Sequence, residues 1–117
     1  TIDIKLAISA YISDDYIHED RVRLELYRRL SKASDIQDIY KIEEEMEDRF
    51  GKPDIFTKQF IELIIIKILA LNLGIQSISS YEMNITFTKA NDTKETIKSP
   101  SKDDDDIIAT TLRYLRK

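Results

Sequence analysis

The sequence predicts an α+β fold, three to four helices packed with a small antiparallel sheet. Three observations carry this reading. Apolar residues recur with a helical period from Glu19 to Leu73 and again after Ser101. They alternate with polar residues at Ile2–Ile8 and between Gly74 and Lys98, the period of strands. Gly51 with Pro53, and then Gly74, stand where the helical runs end. A chain of 117 residues is the length of one domain, able to bury a core without disulfide or metal staples.

Taken in order, Ile2, Ile4, Leu6 and Ile8 alternate with Asp3, Lys5 and Ala7 as a half-buried strand. It must find its pairing elsewhere in the domain or in a parent chain. Ser9 to Ile17 is too irregular for an element, although its aromatic side chains should pack. A first helix is predicted over Glu19–Ser31, with Val22, Leu26 and Leu30 as its stripe and Leu24 and Tyr27 widening the apolar arc. Glu19–Arg23 and Glu25–Arg29 are i,i+4 pairs of the favourable order. Ser34-Asp35-Ile36-Gln37 reads as a capping box that starts a second helix, which runs to Phe50. On its wheel Ile36, Ile39, Ile42, Met46 and Phe50 share one side, and Gln37, Asp38, Lys41, Glu44, Glu45, Asp48 and Arg49 the other.

A third helix fits Asp54 or Ile55 to Leu73. It is apolar nearly all round, with one polar strip of Lys58, Gln59, Glu62 and Asn72, and should form the centre of the core. Lys67 lies opposite that strip, so its amine must snorkel outward or meet a carboxylate. Glu43 and Glu47 flank the apolar side of the second helix, and one of them is expected to meet Lys67 or an arginine of the first helix. Beyond Gly74, Ile75 and Ile78 mark a short strand. Met83, Ile85 and Phe87 mark a second, and Lys94–Lys98 a polar edge strand. A last helix follows Ser99-Pro100-Ser101, with Ile108, Leu112 and Leu115 as its stripe. Asp103 to Asp106 lie in its first turn and Arg113, Arg116 and Lys117 in its last, both complementing the helix dipole.

Composition excludes much chemistry. There is no cysteine, hence no thiolate metal site or cysteine nucleophile, and His18 is the only histidine, too few for an imidazole zinc site. Gly51 and Gly74 each stand alone at a helix end and cannot form a phosphate-cradling loop. Asp103–Asp106 lack the glycine and distal glutamate of a calcium loop, and the glutamates of the second helix form a row, not two groups facing across a cleft. No catalytic, cofactor-binding or metal-binding residue is therefore assigned. With 18 basic and 22 acidic side chains the net charge is −4, which argues against an independent nucleic-acid module. The longest apolar run, Phe60–Gly74, is interrupted by Glu62, Lys67 and Asn72 and is too short to span a bilayer. What remains is the outward face of the second helix. Glu45 and Asp48 are neighbours there, Asp38 lies on the same side, and their negative field suits a basic partner. The first residue, Thr1, reads as the start of a fragment or a processed chain.

The residues around that helix resemble a known family. Glu45-Met46-Glu47-Asp48-Arg49-Phe50-Gly51-Lys52-Pro53 is similar to the E-L-x-D-R-F-G-x-x-P signature in the carboxy-terminal domain of bacterial transcription-repair coupling factors, with one residue fewer before the proline. Ala10-Tyr11-Ile12-Ser13-Asp14-Asp15-Tyr16-Ile17 is similar to its A-x-I-P-D-x-Y-I, with serine in place of proline. Arg23 to Leu30 matches its R-L-x-x-Y-K/R-R stretch, and Lys67 with Ala70 to Ile75 matches the end of its long helix. The resemblance covers about residues 1 to 90, in order; Thr93 to Lys117 departs from the pattern.

The resemblance implies a single regulatory domain at the carboxy-terminal end of a cytoplasmic superfamily-2 DNA translocase. The parent would use ATP and Mg to displace stalled RNA polymerase and would recruit UvrA, while this domain would need no cofactor. It would be a monomer that covers the UvrA-binding surface of the parent's UvrB-like module, with no direct contact to nucleic acid or membrane. Family contacts map onto Glu45 and Asp48; Arg49, Lys41 and Asp38 complete the expected partner-binding set. Arg49 and Phe50 are expected to serve structure as well, Phe50 by plugging the helix end into the core. The alternative reading is a DNA-contacting accessory domain of the same translocase.

Overall fold

The computed structural model describes residues 2–117. In chain order they form β1 (Asp3–Lys5), α1 (Asp20–Lys32), α2 (Ile36–Phe50), α3 (Ile55–Asn72), β2 (Ile75–Tyr81), β3 (Asn84–Lys89), β4 (Lys94–Lys98) and α4 (Asp104–Leu115). The predicted α+β class holds. Two compact units divide the residues: Ser9–Ile65, and the residues up to Ile8 with Ile66–Lys117. The backbone of α3 runs through the division.

In the sheet unit the strand order is β1-β2-β3-β4. β2, β3 and β4 form the expected antiparallel meander, but β1 joins β2 in parallel, so the sheet is mixed. Parallel pairing is possible because three helices, α1 to α3, separate β1 from β2, ample for a crossover. β1 is shorter than its alternation predicts. The Ile8 amide turns back onto the Leu6 carbonyl at 2.9 Å, and the Ala7 amide donates to the Ser80 hydroxyl at 2.8 Å, which ends the ladder. β2 is longer than predicted. A register shift between Ile75 and Ser77 inserts one residue, so Ile75 and Ile78, three apart, both face the core. They pack with Ile66, Ala70, Ile85, Phe87, Ile107, Ile108 and Leu115. Tyr114 stacks on Phe87 at 3.9 Å and donates to Glu95 at 2.7 Å, which fastens α4 to β3 and β4. Lys67 is half-buried and has no ion pair among the described residues, so of the two expected outcomes it snorkels.

In the helical unit, Leu26 and Leu30 of α1, Ile39, Ile42 and Met46 of α2, and Ile61, Ile64 and Ile65 of α3 are buried. The apolar stripes read from the sequence are the ones that pack, except that Leu24, expected to widen the arc of α1, is 59% exposed. Several polar details differ. Arg23 bonds the Ile17 and His18 carbonyls and pairs with Asp20, not Glu19. Arg29 leaves Glu25 for Glu45. Glu43 meets Lys58 at 2.7 Å rather than Lys67 or an α1 arginine. Gln59 is not on a solvated strip: it is 3% exposed, and its amide donates to the Ser9 carbonyl at 2.6 Å. No helix among the described residues is long and apolar enough to cross a membrane.

Candidate partner-binding site

The candidate site is the outward face of α2, and both ends of that helix are fixed. At its start Asp35, not Ser34, is the N-cap: its carboxylate accepts from the Gln37 amide at 2.9 Å, so the predicted capping box is replaced by a one-residue Asx cap. A carboxylate serves better here than a hydroxyl because it also complements the dipole. At its end Gly51 has φ +85, a conformation that glycine adopts without strain, and its amide bonds the Glu47 carbonyl at 2.9 Å. The Tyr16 hydroxyl donates to the Gly51 carbonyl at 2.6 Å and lies 3.2 Å from that of Met46, capping the last turn. Burial, then the charges of Glu47, Asp54 and Glu43, push the Tyr16 phenol up to about 12, so it stays a donor at neutral pH. Phe50 is half-buried and edge-on to Tyr16 at 6.0 Å, which gives it the expected structural role.

The loop Ser9–Ile17 explains why the two short motifs occur together. The Ser13 hydroxyl accepts from the Asp15 and Tyr16 amides at 3.1 and 3.2 Å and sets the turn that presents Tyr16 to α2. Its own amide donates to the buried Thr57 hydroxyl at 3.2 Å, a bond that the proline of the resembled pattern could not make. Asp54 caps α3 through the Thr57 amide at 2.9 Å. Burial alone would raise the Asp54 carboxyl, but hydrogen bonds from Ser13, the Thr57 amide and the Thr57 hydroxyl outweigh it and hold the group below its usual range. The Ile12 amide donates to the Tyr27 hydroxyl at 2.6 Å, and Tyr11 stacks on Phe56 at 5.0 Å. One irregular stretch thus fastens the end of α2 to α1 and to the start of α3.

Five site residues come from the sequence, and the structure sorts them. Asp48 is exposed and makes no hydrogen bond or ion pair among the described residues. Glu45 is reachable, its side chain 39% exposed, but it is engaged already. The Arg29 guanidinium grips both its oxygens, at 2.6 and 2.9 Å, and Arg49 approaches at 3.4 Å. The Arg29 hydrogen bond holds the Glu45 carboxyl below its usual range, and Glu45 in turn raises Arg29. Arg49 lies 4.8 Å over the Phe50 ring, so its local role is the one expected. Asp38 and Lys41 are exposed, and they line a shallow groove of about 440 Å³ with Arg29, Lys32, Ala33 and Ile42.

Sequence reasoning missed two residues. Glu44, exposed and without a partner among the described residues, sits one turn from Asp48 and is a more open acceptor than Glu45. Arg29 is the other, and only the spacing of α1 against α2 reveals it. At α4, Asp103, Asp105 and Asp106 bring oxygens within 4.8 Å of one another at the helix start, where carboxylates complement the dipole and the Ser101 hydroxyl donates to Asp106 at 2.7 Å.

The model of the TRCF domain matches residues 6–99. Transcription-repair-coupling factors of two Helicobacter pylori strains are 45% and 46% identical over 115 and 116 residues, 98% and 99% of this chain. That of Rickettsia prowazekii is 32% identical over 78 residues, or 67% of the chain. The chain spans only 12% of the length of the Helicobacter relatives and 7% of the Rickettsia one. The crystal structure of a C-terminal domain of transcription-repair coupling factor has the same fold, with a TM-score of 0.70 at 24% identity over 74% of this chain and 53% of that one. Motifs, fold and relatives agree, and the chain belongs to the TRCF domain family, the carboxy-terminal region of transcription-repair coupling factors.

Proposed function

We propose that the chain is a regulatory domain of a transcription-repair coupling factor and acts as a reversible latch. Its α2 carboxylates dock on arginines of the parent's UvrB-like module and cover the surface that UvrA would bind. The parent, in this reading, is the ATP-driven DNA translocase that displaces stalled RNA polymerase, with ATP and Mg handled by motor segments outside this chain. The domain itself performs no catalysis.

The observation that carries the reading is the state of the α2 ridge. Glu44 and Asp48 are exposed like charges one turn apart, and neither is in an ion pair among the described residues. Such an i,i+4 pair costs a few tenths of a kcal/mol unless something cationic covers it. Guanidinium groups suit these acceptors because they form charge-assisted, often bidentate bonds. Glu45 contributes differently. Arg29 fixes its position, so an incoming arginine can share its oxygens without ordering the side chain first. Exposed pairs are worth ~0–1 kcal/mol each, so two or three of them make a weak latch, which polymerase engagement could open.

The test is Glu44→Lys with Asp48→Lys in the parent. Neither residue has an ion pair among the described residues, so the melting temperature of the 117-residue chain should hold. UvrA affinity of the parent should rise about tenfold, the equivalent of ~1.4 kcal/mol. An unchanged affinity with an intact fold removes the latch.

A further inference from the structure

The exposed face of α1 carries charge of the opposite sign. At about 100° per residue, Arg21, Arg28 and Lys32 fall within about 40° of one another, opposite the buried Leu26 and Leu30. All three are exposed, and none makes a hydrogen bond or ion pair among the described residues, although Glu25 lies one turn from Arg21. The other two arginines of α1 are held internally, Arg23 by Asp20 and two carbonyls, Arg29 by Glu45. Arg21 is the most telling. It stands in the first turn, where the helix dipole disfavours a cation, and it forms no ion pair among the described residues, with Glu25 included. At the other end of the line Lys32 enters the groove shared with Lys41, which is likewise exposed and in no ion pair among the described residues. Leu24 lies on the flank of the line and is 59% exposed.

We infer that this face of α1, with the groove at its end, is a docking surface for an acidic amphipathic segment of a partner protein. Carboxylates of that segment meet Arg21, Arg28, Lys32 and Lys41, and an apolar side chain covers Leu24. A peptide fits better than a nucleic-acid backbone for two reasons. The positive line is short, about 16 Å at 1.5 Å per residue, has the exposed Glu25 within it, and is bounded by exposed Glu19 and Asp20 at one end and by Asp38 at the other. A long row of phosphates would cross those carboxylates, whereas a few helical turns fit between them. An exposed leucine beside the cations also matches an amphipathic helix and offers nothing to phosphate. The surface uses none of the α2 carboxylates, so it stands or falls separately from the latch.

The probe is a labelled helical peptide with glutamates at matching spacings of seven and four residues and one leucine between them, titrated by fluorescence anisotropy against the full 117-residue chain. The chain should bind it saturably. Arg21→Glu with Arg28→Glu and Lys32→Glu should weaken binding at least about tenfold, and so should replacing the peptide's glutamates by glutamine. Asp48→Lys should leave it unchanged. Should the triple variant melt early, Arg28→Gln alone should still cost about threefold. The inference is overturned by an absence of saturation at millimolar peptide, or by undiminished binding to the substituted chains. It is equally overturned if a DNA duplex binds more tightly than the peptide and is the ligand those substitutions release.

Discussion

Removing the Arg29–Glu45 pair tests how firmly the candidate site is held. The perturbation is a double-mutant cycle of Arg29→Met and Glu45→Gln. Two short bonds in fork geometry place the pair among the strong ones. Its exposure works the other way: the side chains are 37% and 39% exposed, so water screens the attraction. The coupling energy should lie at the upper end for exposed pairs, about 1 kcal/mol. Arg49 remains beside Glu45 when Arg29 is lost, so no bare carboxylate adds to the cost. The pH dependence has a definite sign. Because Glu45 is held below its ordinary range in the folded chain, the contribution is complete at neutral pH. It disappears as pH falls through the ordinary carboxylate value and then through the depressed one. Urea melts of the four proteins at neutral and strongly acidic pH supply the assay. A coupling of several kcal/mol at neutral pH, or one that survives in acid, would refute the reasoning. The magnitude bears on function, since only a modest pair lets a partner's arginine share Glu45 without strain on the fold.

Two further substitutions follow from the interior. Thr57→Val, at a fully buried hydroxyl that accepts from Ser13, should cost ~1–3 kcal/mol in chemical denaturation through the unsatisfied amide; a loss below half a kcal/mol would mean that water reaches Ser13. Lys67→Met should stay within ~0.5 kcal/mol of the parent chain, because no ion pair is broken; a large loss in the same melts would reveal a carboxylate partner.

The helices were legible because their stops are chemical: Gly51, Pro53 and Gly74 end α2 and α3 where those residues must. The exposure of Asp48 followed from the same wheel that buried Met46. What stayed hidden depends on where elements meet. The Ile75–Ile78 spacing breaks a two-residue period, and only the register shift against β3 shows that both residues face inward. Gln59 looks solvated until the Ser9 carbonyl is placed beside it. Arg29 has an acceptable partner one turn away in Glu25, but a tertiary carboxylate offers it two bonds at once. The same competition conceals that Glu45 is occupied while Glu44 is open. Local pairing rules describe isolated helices; here neighbouring helices outbid them.

The latch itself is most directly tested by calorimetric titration of this chain with the separately expressed UvrB-like module of its parent over a range of ionic strength. The account predicts weak binding that fades as salt rises and is abolished by Glu44→Lys with Asp48→Lys. Binding that ignores both salt and those two substitutions would contradict it.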